Sequence, residues 1–115
     1  MTTKKATEEM VIELFELIKS LDSIEDCQLL FEDLCTYAEI EKMEQRVAAA
    51  QMFLEGATYN QVIKKTKISS ATLSRVSRCI RHGSGGYSNI LRQMIAEERE
   101  RLLEEVATEV ATDEE

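Results

Sequence analysis

Apolar residues recur at helical spacing along most of this chain. Met10, Leu14, Leu17 and Leu21 fall three or four residues apart, and Val11, Phe15 and Ile18 widen the stripe into the face of an amphipathic helix. Asp22 and Ser23 interrupt it. Ser23, with Asp26 three residues later, offers an N-cap to a second helix carrying Leu30, Phe31 and Leu34. Thr36 followed by Glu39 has the pattern of a capping box. Behind it Ile40, Met43, Val47, Ala50 and Leu54 trace one face of a long third helix, which Gly56 is placed to end in a left-handed turn. Thr58 and Gln61 repeat the box for a short helix ending near Thr66. Ser69 or Ser70 opens a fifth, with Leu73, Val76 and Ile80 inward and Gly83 closing it. After the loop HGSGGY a last helix is predicted from about Ser88, carrying Leu91, Ile95, Leu102 and Val106. A Glu97–Arg101 pair on its polar side would add about 0.2–0.5 kcal/mol.

That makes six helices. The chain has no proline, and its four glycines all lie between Gly56 and Gly86, so helix breakers are missing elsewhere. The predicted fold class is all-α. At 115 residues, 43% of them hydrophobic and 31% charged, the composition is that of one globular domain rather than a disordered chain. Residues 1–107 are expected to form it, with the acidic stretch 108–115 fraying at its end.

Charge changes this picture. The formal net charge is -8, which argues against a polyanionic partner until its distribution is examined. From Gly56 through Ala96 there is no Asp or Glu, while Lys64, Lys65, Lys67, Arg75, Arg78, Arg81 and Arg92 give the window +7. The remainder, with 7 basic and 22 acidic residues, carries -15. Screening reaches only about 8–10 Å at physiological ionic strength, so a bound phosphate feels the local cations more than the total.

The fourth and fifth helices, about 58–82, are joined by a turn of about three residues, which is the helix-turn-helix arrangement. Such a motif lays its second helix in the major groove of double-stranded DNA with the N-terminal residues at the base edges. Here those residues are Ser70, Ala71 and Ser74. All are small, so the backbone can approach closely. A serine hydroxyl can donate to or accept from a base, and alanine can touch a thymine methyl. Lys64, Lys65, Lys67, Arg78 and Arg81 are placed to neutralise phosphates, and Thr72 to reach one. Lys67 stands in the turn, where glycine would accept a positive φ without steric cost. Ile63 fills an inter-helix position where a smaller side chain is commoner. A helical hairpin in a protein-interaction module, with no DNA contact, is the alternative reading.

Other chemistry is thinly represented. His82 is the sole histidine and no two cysteines are close, which gives no zinc pattern. HGSGGY lacks both a lysine–serine partner and a preceding strand, so it reads as a helix end and turn rather than a phosphate loop. Cys27, Cys35 and Cys79 are odd in number and unpatterned, as expected for reduced thiols. Cys79 lies between Arg78 and Arg81, a setting that can favour a thiolate, but an inert thiol is the expectation. No carboxylate pair is isolated in an apolar context, so neither an enzyme nor a cofactor is expected. No apolar run approaches the roughly 18 residues of a membrane span, and MTTKKATEEM has no apolar signal core, which predicts a soluble cytoplasmic protein.

Five pieces occur together and in order: DLCT (33–36), the run Met43-Glu44-Gln45-Arg46, LEGATYNQV (54–62), ATLSR (71–75) and GSGGY (83–87). From Asp33 to about Leu91 the chain thereby resembles the tryptophan-repressor superfamily, and within it the YerC/YecD branch. The resemblance implies a homodimeric bacterial transcriptional regulator. Its two chains would interlock through helices at about 7–55 and 88–107, each presenting a helix-turn-helix to half of a palindromic site. It also raises a small-molecule effector, which the family's repressor holds between the third helix and the reading helix. Thr36, Arg46 and Arg75 match positions of that pocket. Cys79 stands where the family has a serine, and Val76 where it has a glycine beside the ligand's ring. A branched side chain in that slot takes steric room. Tryptophan is therefore not the expected ligand, and Arg46 and Arg75 are read in preference as surface or phosphate-pairing residues.

Overall fold

The computed structural model describes residues 3–113. In chain order they form α1 (Thr3–Lys19), α2 (Ile24–Leu34), α3 (Tyr37–Leu54), α4 (Tyr59–Thr66), α5 (Ser70–His82), a π-helical turn (Gly86–Leu91) and α6 (Arg92–Asp113). The protein is all-α, with no strand among the described residues. Its contacts gather into two units, one ending at Glu41 and the other beginning at Lys42, so the boundary falls within α3.

In the first unit the helix ends follow local rules. Ser20 stops α1, its hydroxyl donating to the Leu17 carbonyl at 2.6 Å. Ser23, in extended backbone, caps α2 by accepting the Asp26 N–H at 3.1 Å, and Glu25 and Asp26 complement the dipole of that first turn. The capping box of α3 is formed in both directions. Glu39 N donates to Thr36 Oγ1 at 3.1 Å, and Thr36 N donates to Glu39 Oε1 at 2.9 Å. The apolar stripe of α1 exists as the periodicity requires, but it lies open: Met10 is 67% exposed and Phe15 60%. No residue of α2 is buried.

The second unit has a closed core. Ala49 and Ala50 of α3, Val62 of α4, Ile68 in the turn, and Leu73 and Val76 of α5 are buried, with Phe53, Ile63, Ile80, Tyr87 and Leu91 packed around them. The two alanines leave room for α4 and α5 to come close to α3. Each fully buried Val or Leu side chain contributes about 1.5–3 kcal/mol. Gly56, at φ 96°, reverses the chain after α3. Ala57 N reaches back to Met52 O at 2.9 Å and Gly56 N to Phe53 O at 3.0 Å, the paired bonds of a glycine C-terminal cap. At the far end of α5, Gly83 is required for a different reason. A Cβ there would stand 2.3 Å from the Cys79 carbonyl oxygen.

Two sequence expectations are corrected in the last third of the chain. The final helix does not begin at Ser88 as an α-helix. A π-helical turn precedes it, in which Arg92 N–H bonds the Tyr87 carbonyl five residues back. This wider turn sets Tyr87 and Leu91 together against the core, an alignment that a 3.6-residue period does not show. Arg101 pairs with Glu98 and Glu105 rather than with Glu97, whose Oε1 instead accepts from Gln93 Nε2 at 3.0 Å. The helix α6 runs through Asp113. Thr108 and Thr112 hydroxyls bond the carbonyls of Glu104 and Thr108, each at 2.9 Å. Residues 114 and 115 lie outside the described residues. No helix of the described residues is long and apolar enough to cross a membrane.

Candidate nucleic-acid interface

The segment 58–82 folds as two helices around a short turn, and each joint has an identifiable cause. Thr58 and Gln61 form the expected capping box of α4: Gln61 N donates to Thr58 Oγ1 at 3.2 Å, and Thr58 N to Gln61 Oε1 at 2.8 Å. Lys67 ends α4 in the left-handed region, at φ 59° and ψ 20°, with its N–H on the Ile63 carbonyl. It is the non-glycine residue with positive φ among the described residues. A side chain in this conformation costs about 1–2 kcal/mol relative to glycine. The turn is held on both sides. Thr66 Oγ1 donates to Val62 O at 2.7 Å and accepts the Ile68 N–H at 3.4 Å, while the Ile68 side chain is buried. Ser69 is the N-cap of α5: its hydroxyl accepts the Thr72 N–H at 3.2 Å and donates to Thr72 Oγ1 at 2.9 Å.

Leu73 and Val76 point α5 into the core, which decides what its other faces present. Ser70, Ala71 and Ser74 are exposed at the start of the helix, and Arg75, Arg78 and Arg81 are exposed beyond them. Lys64, Lys65 and Lys67 are exposed on α4 and the turn, while Thr72 is half-buried behind Ser69.

Sequence reasoning missed Tyr59. Its hydroxyl donates to the Ser70 carbonyl at 3.0 Å and lies 3.2 Å from Ser74 Oγ. A phenol has one proton. With that proton on Ser70 O, the Ser74 hydroxyl turns its own proton to Tyr59, and the Ser74 oxygen is left as an acceptor toward solvent. The only available sequence signal was an aromatic residue at the start of α4, which periodicity does not distinguish from a core anchor. Its ring does also lean on Phe53, with centroids 6.4 Å apart and planes tilted by 41°.

The residues matched to an effector pocket are distributed differently. Arg46 lines a polar cleft of about 360 Å³ together with Lys42, Gln45, Lys67, Ser69 and Thr72. Cys79 lines a separate apolar pocket of about 430 Å³ with Val47, Tyr87, Ile90, Leu91 and Met94. Arg75 borders neither. Thr36 belongs to the first unit, where its hydroxyl is engaged in capping α3.

Comparisons with known proteins agree with this architecture. The family model of the Trp repressor protein matches residues 9–95. YerC of Bacillus subtilis strain 168, a protein without an assigned function, is 43% identical over 79 residues, covering 69% of this chain and 76% of the relative. A crystal structure of a candidate Trp repressor from Staphylococcus aureus superposes with a TM-score of 0.73 at 37% identity, covering 82% of this chain and 94% of that one. A TrpR-like protein from Eubacterium eligens ATCC 27750 does so with a TM-score of 0.71 at 37% identity, over 75% and 89% of the two chains. Members of the Trp repressor family are DNA-binding regulators and not enzymes.

Proposed function

Because the chain belongs to the Trp repressor family, we propose that it is a cytoplasmic transcriptional regulator that binds, as a homodimer, a palindromic site in double-stranded DNA. The observation that carries the reading is the exposure and charge of one segment. Ser70, Ala71 and Ser74 stand exposed at the start of α5, exposed cations flank them on α4, the turn and α5, and no carboxylate occurs from Gly56 through Ala96. In this reading α5 enters the major groove, and Lys64, Lys65, Lys67, Arg78 and Arg81 hold phosphates on either side. Ser74, as an acceptor, faces the amino group of a cytosine or an adenine, and Ala71 a thymine methyl.

Dimerisation is supported by the apolar side chains left open: Met10 and Phe15 on α1, and Ile90 and Met94 beside the apolar pocket. A second copy covering them would bury a substantial apolar area. Tryptophan is not required. Val76 is buried in the core of the motif, which favours a regulator without a ring-shaped ligand at that position.

The test is selection from random duplex DNA by the purified protein with no added ligand. The expected result is an enriched palindrome with half-sites about one helical turn, roughly 10 base pairs, apart. Absence of any enriched sequence from a folded, dimeric preparation would leave the helical protein-interaction module as the better reading.

A further inference from the structure

The polar cleft runs between the face of α3 that carries Lys42, Gln45 and Arg46 and the turn that carries Lys67, Ser69 and Thr72. Three cations line it and no carboxylate does. Among the described residues the ion pairs are those of Arg101 with Glu98 and Glu105, so none of the three has an acid within ion-pair reach. Like charges gathered from two elements without a counter-charge repel one another, and an anion between them relieves the repulsion.

Lys67 supplies an independent sign. It keeps a left-handed backbone that glycine would adopt freely, so the position retains a cation at the expense of local strain. The hydroxyls have a defined sense as well. Ser69 Oγ gives its proton to Thr72 Oγ1, which leaves the Thr72 proton free to donate. Donors converging from α3 and from the turn suit a tetrahedral group better than a planar carboxylate, which a single guanidinium fork satisfies.

We propose that this cleft is a phosphate site, with Lys42, Arg46 and Lys67 supplying charge and Gln45 and Thr72 supplying hydrogen bonds. The inference deepens the DNA-binding reading, because Lys67 and Thr72 also belong to the surface assigned to backbone phosphates. It assigns Arg46 to that anion and adds Lys42 and Gln45 of α3, outside the helix-turn-helix, to the groups that meet it. The phosphate is either a phosphodiester of the DNA backbone or that of a free small molecule. The first extends the DNA footprint onto α3. The second places a competitor on donors that DNA also uses, so its binding loosens the protein from DNA.

The experiment uses the full chain and two variants, Lys42→Gln and Lys67→Gly. Affinity for a random-sequence duplex is measured across salt concentrations. In parallel, inorganic phosphate is titrated at matched ionic strength while the Ser69 and Thr72 amides are followed by NMR. For a backbone phosphate, each variant weakens duplex binding several-fold and lowers the salt slope by about 0.9, with no saturable response to inorganic phosphate. For a free phosphate, both amides shift saturably in the wild type but not in either variant, and phosphate displaces the duplex. Lys67→Gly relieves backbone strain, so a loss of binding in a variant that melts no lower than wild type reports the missing charge rather than a damaged fold. Unchanged duplex affinity in both variants, together with no saturable amide shift, overturns the proposal. A wild-type chain that binds no duplex at all sinks the DNA-binding reading instead, while the phosphate titration still decides the cleft.

Discussion

The residues up to Glu41 and those from Lys42 onward obey the same amphipathic periodicity and differ in what their apolar faces meet. Phe15 of α1 is 60% exposed, whereas Leu73 of α5 is fully buried. The difference does not lie in hydrophobicity, since α1 carries Met, Val, Ile, Leu and Phe in abundance. It lies in the joints. Gly56 and Lys67, both in left-handed backbone, fold α4 and α5 back onto the small surface of Ala49 and Ala50, and a core closes. Amphipathic helices without such a closing layer keep an open stripe. Periodicity therefore names the face to be covered, and turn geometry decides whether the chain itself can cover it.

Substitutions on the two faces should separate these cases. Leu73→Ala has the largest expected effect, a loss of about 2–5 kcal/mol seen in the urea midpoint of unfolding, because it opens a cavity in the closed core. Phe15→Ser should instead act through association, at about 1.5–3 kcal/mol per chain if a second copy buries that ring. Its signature is a melting temperature that depends more steeply on protein concentration, with a shift toward monomer in sedimentation. A loss in Phe15→Ser as large as that of Leu73→Ala and independent of concentration would break the comparison.

Tyr59→Phe comes next. It removes the bond to the Ser70 carbonyl at about 0.5–1.5 kcal/mol and frees the Ser74 proton. Repeating the DNA selection with it should show relaxed preference at one base of each half-site, with the others retained.

The smallest effect belongs to Glu98→Gln on α6. The hydrogen bond from Arg101, helped by its charge, holds the Glu98 carboxyl below the ordinary carboxylate range. A depressed folded value contributes stability above the unfolded value and loses it as pH falls through the folded one. Helicity of the variant should accordingly fall slightly below wild type at neutral pH and converge with it in acid, as followed by circular dichroism. A constant gap across that range would assign the difference to helix propensity alone.

Most of the fold was legible because its punctuation is local. Ser23 with Asp26, Thr36 with Glu39 and Thr58 with Gln61 all act across three residues, so the order of residue types suffices to place those helix starts, whereas at the fifth helix it narrows the start to Ser69 or Ser70 and the Ser69–Thr72 bond decides it. Lys67 was legible as an oddity for the same reason: a turn of that length needs a left-handed residue. The π-helical turn was hidden because its five-residue bond leaves the types of Gly86–Leu91 looking like an ordinary helix start. At the candidate interface, the exposure of Ser70, Ala71 and Ser74 follows from the burial of Leu73 and Val76. The Tyr59 contacts span 11 and 15 residues and depend on how closely α4 and α5 pack. Likewise, only folding shows that Arg46 lines one hollow and Cys79 another.

Lys67 has a consequence for how this protein can change. Its backbone favours glycine, or asparagine as the next best residue, while its side chain contributes a charge that neither supplies. In the proposed reading, heat resistance and anion binding therefore pull this codon in opposite directions. A laboratory selection for thermal tolerance alone should find Lys67→Gly early, and a selection for operator occupancy at high salt should return lysine. The direction of drift at this one position would report which demand a population of variants is under.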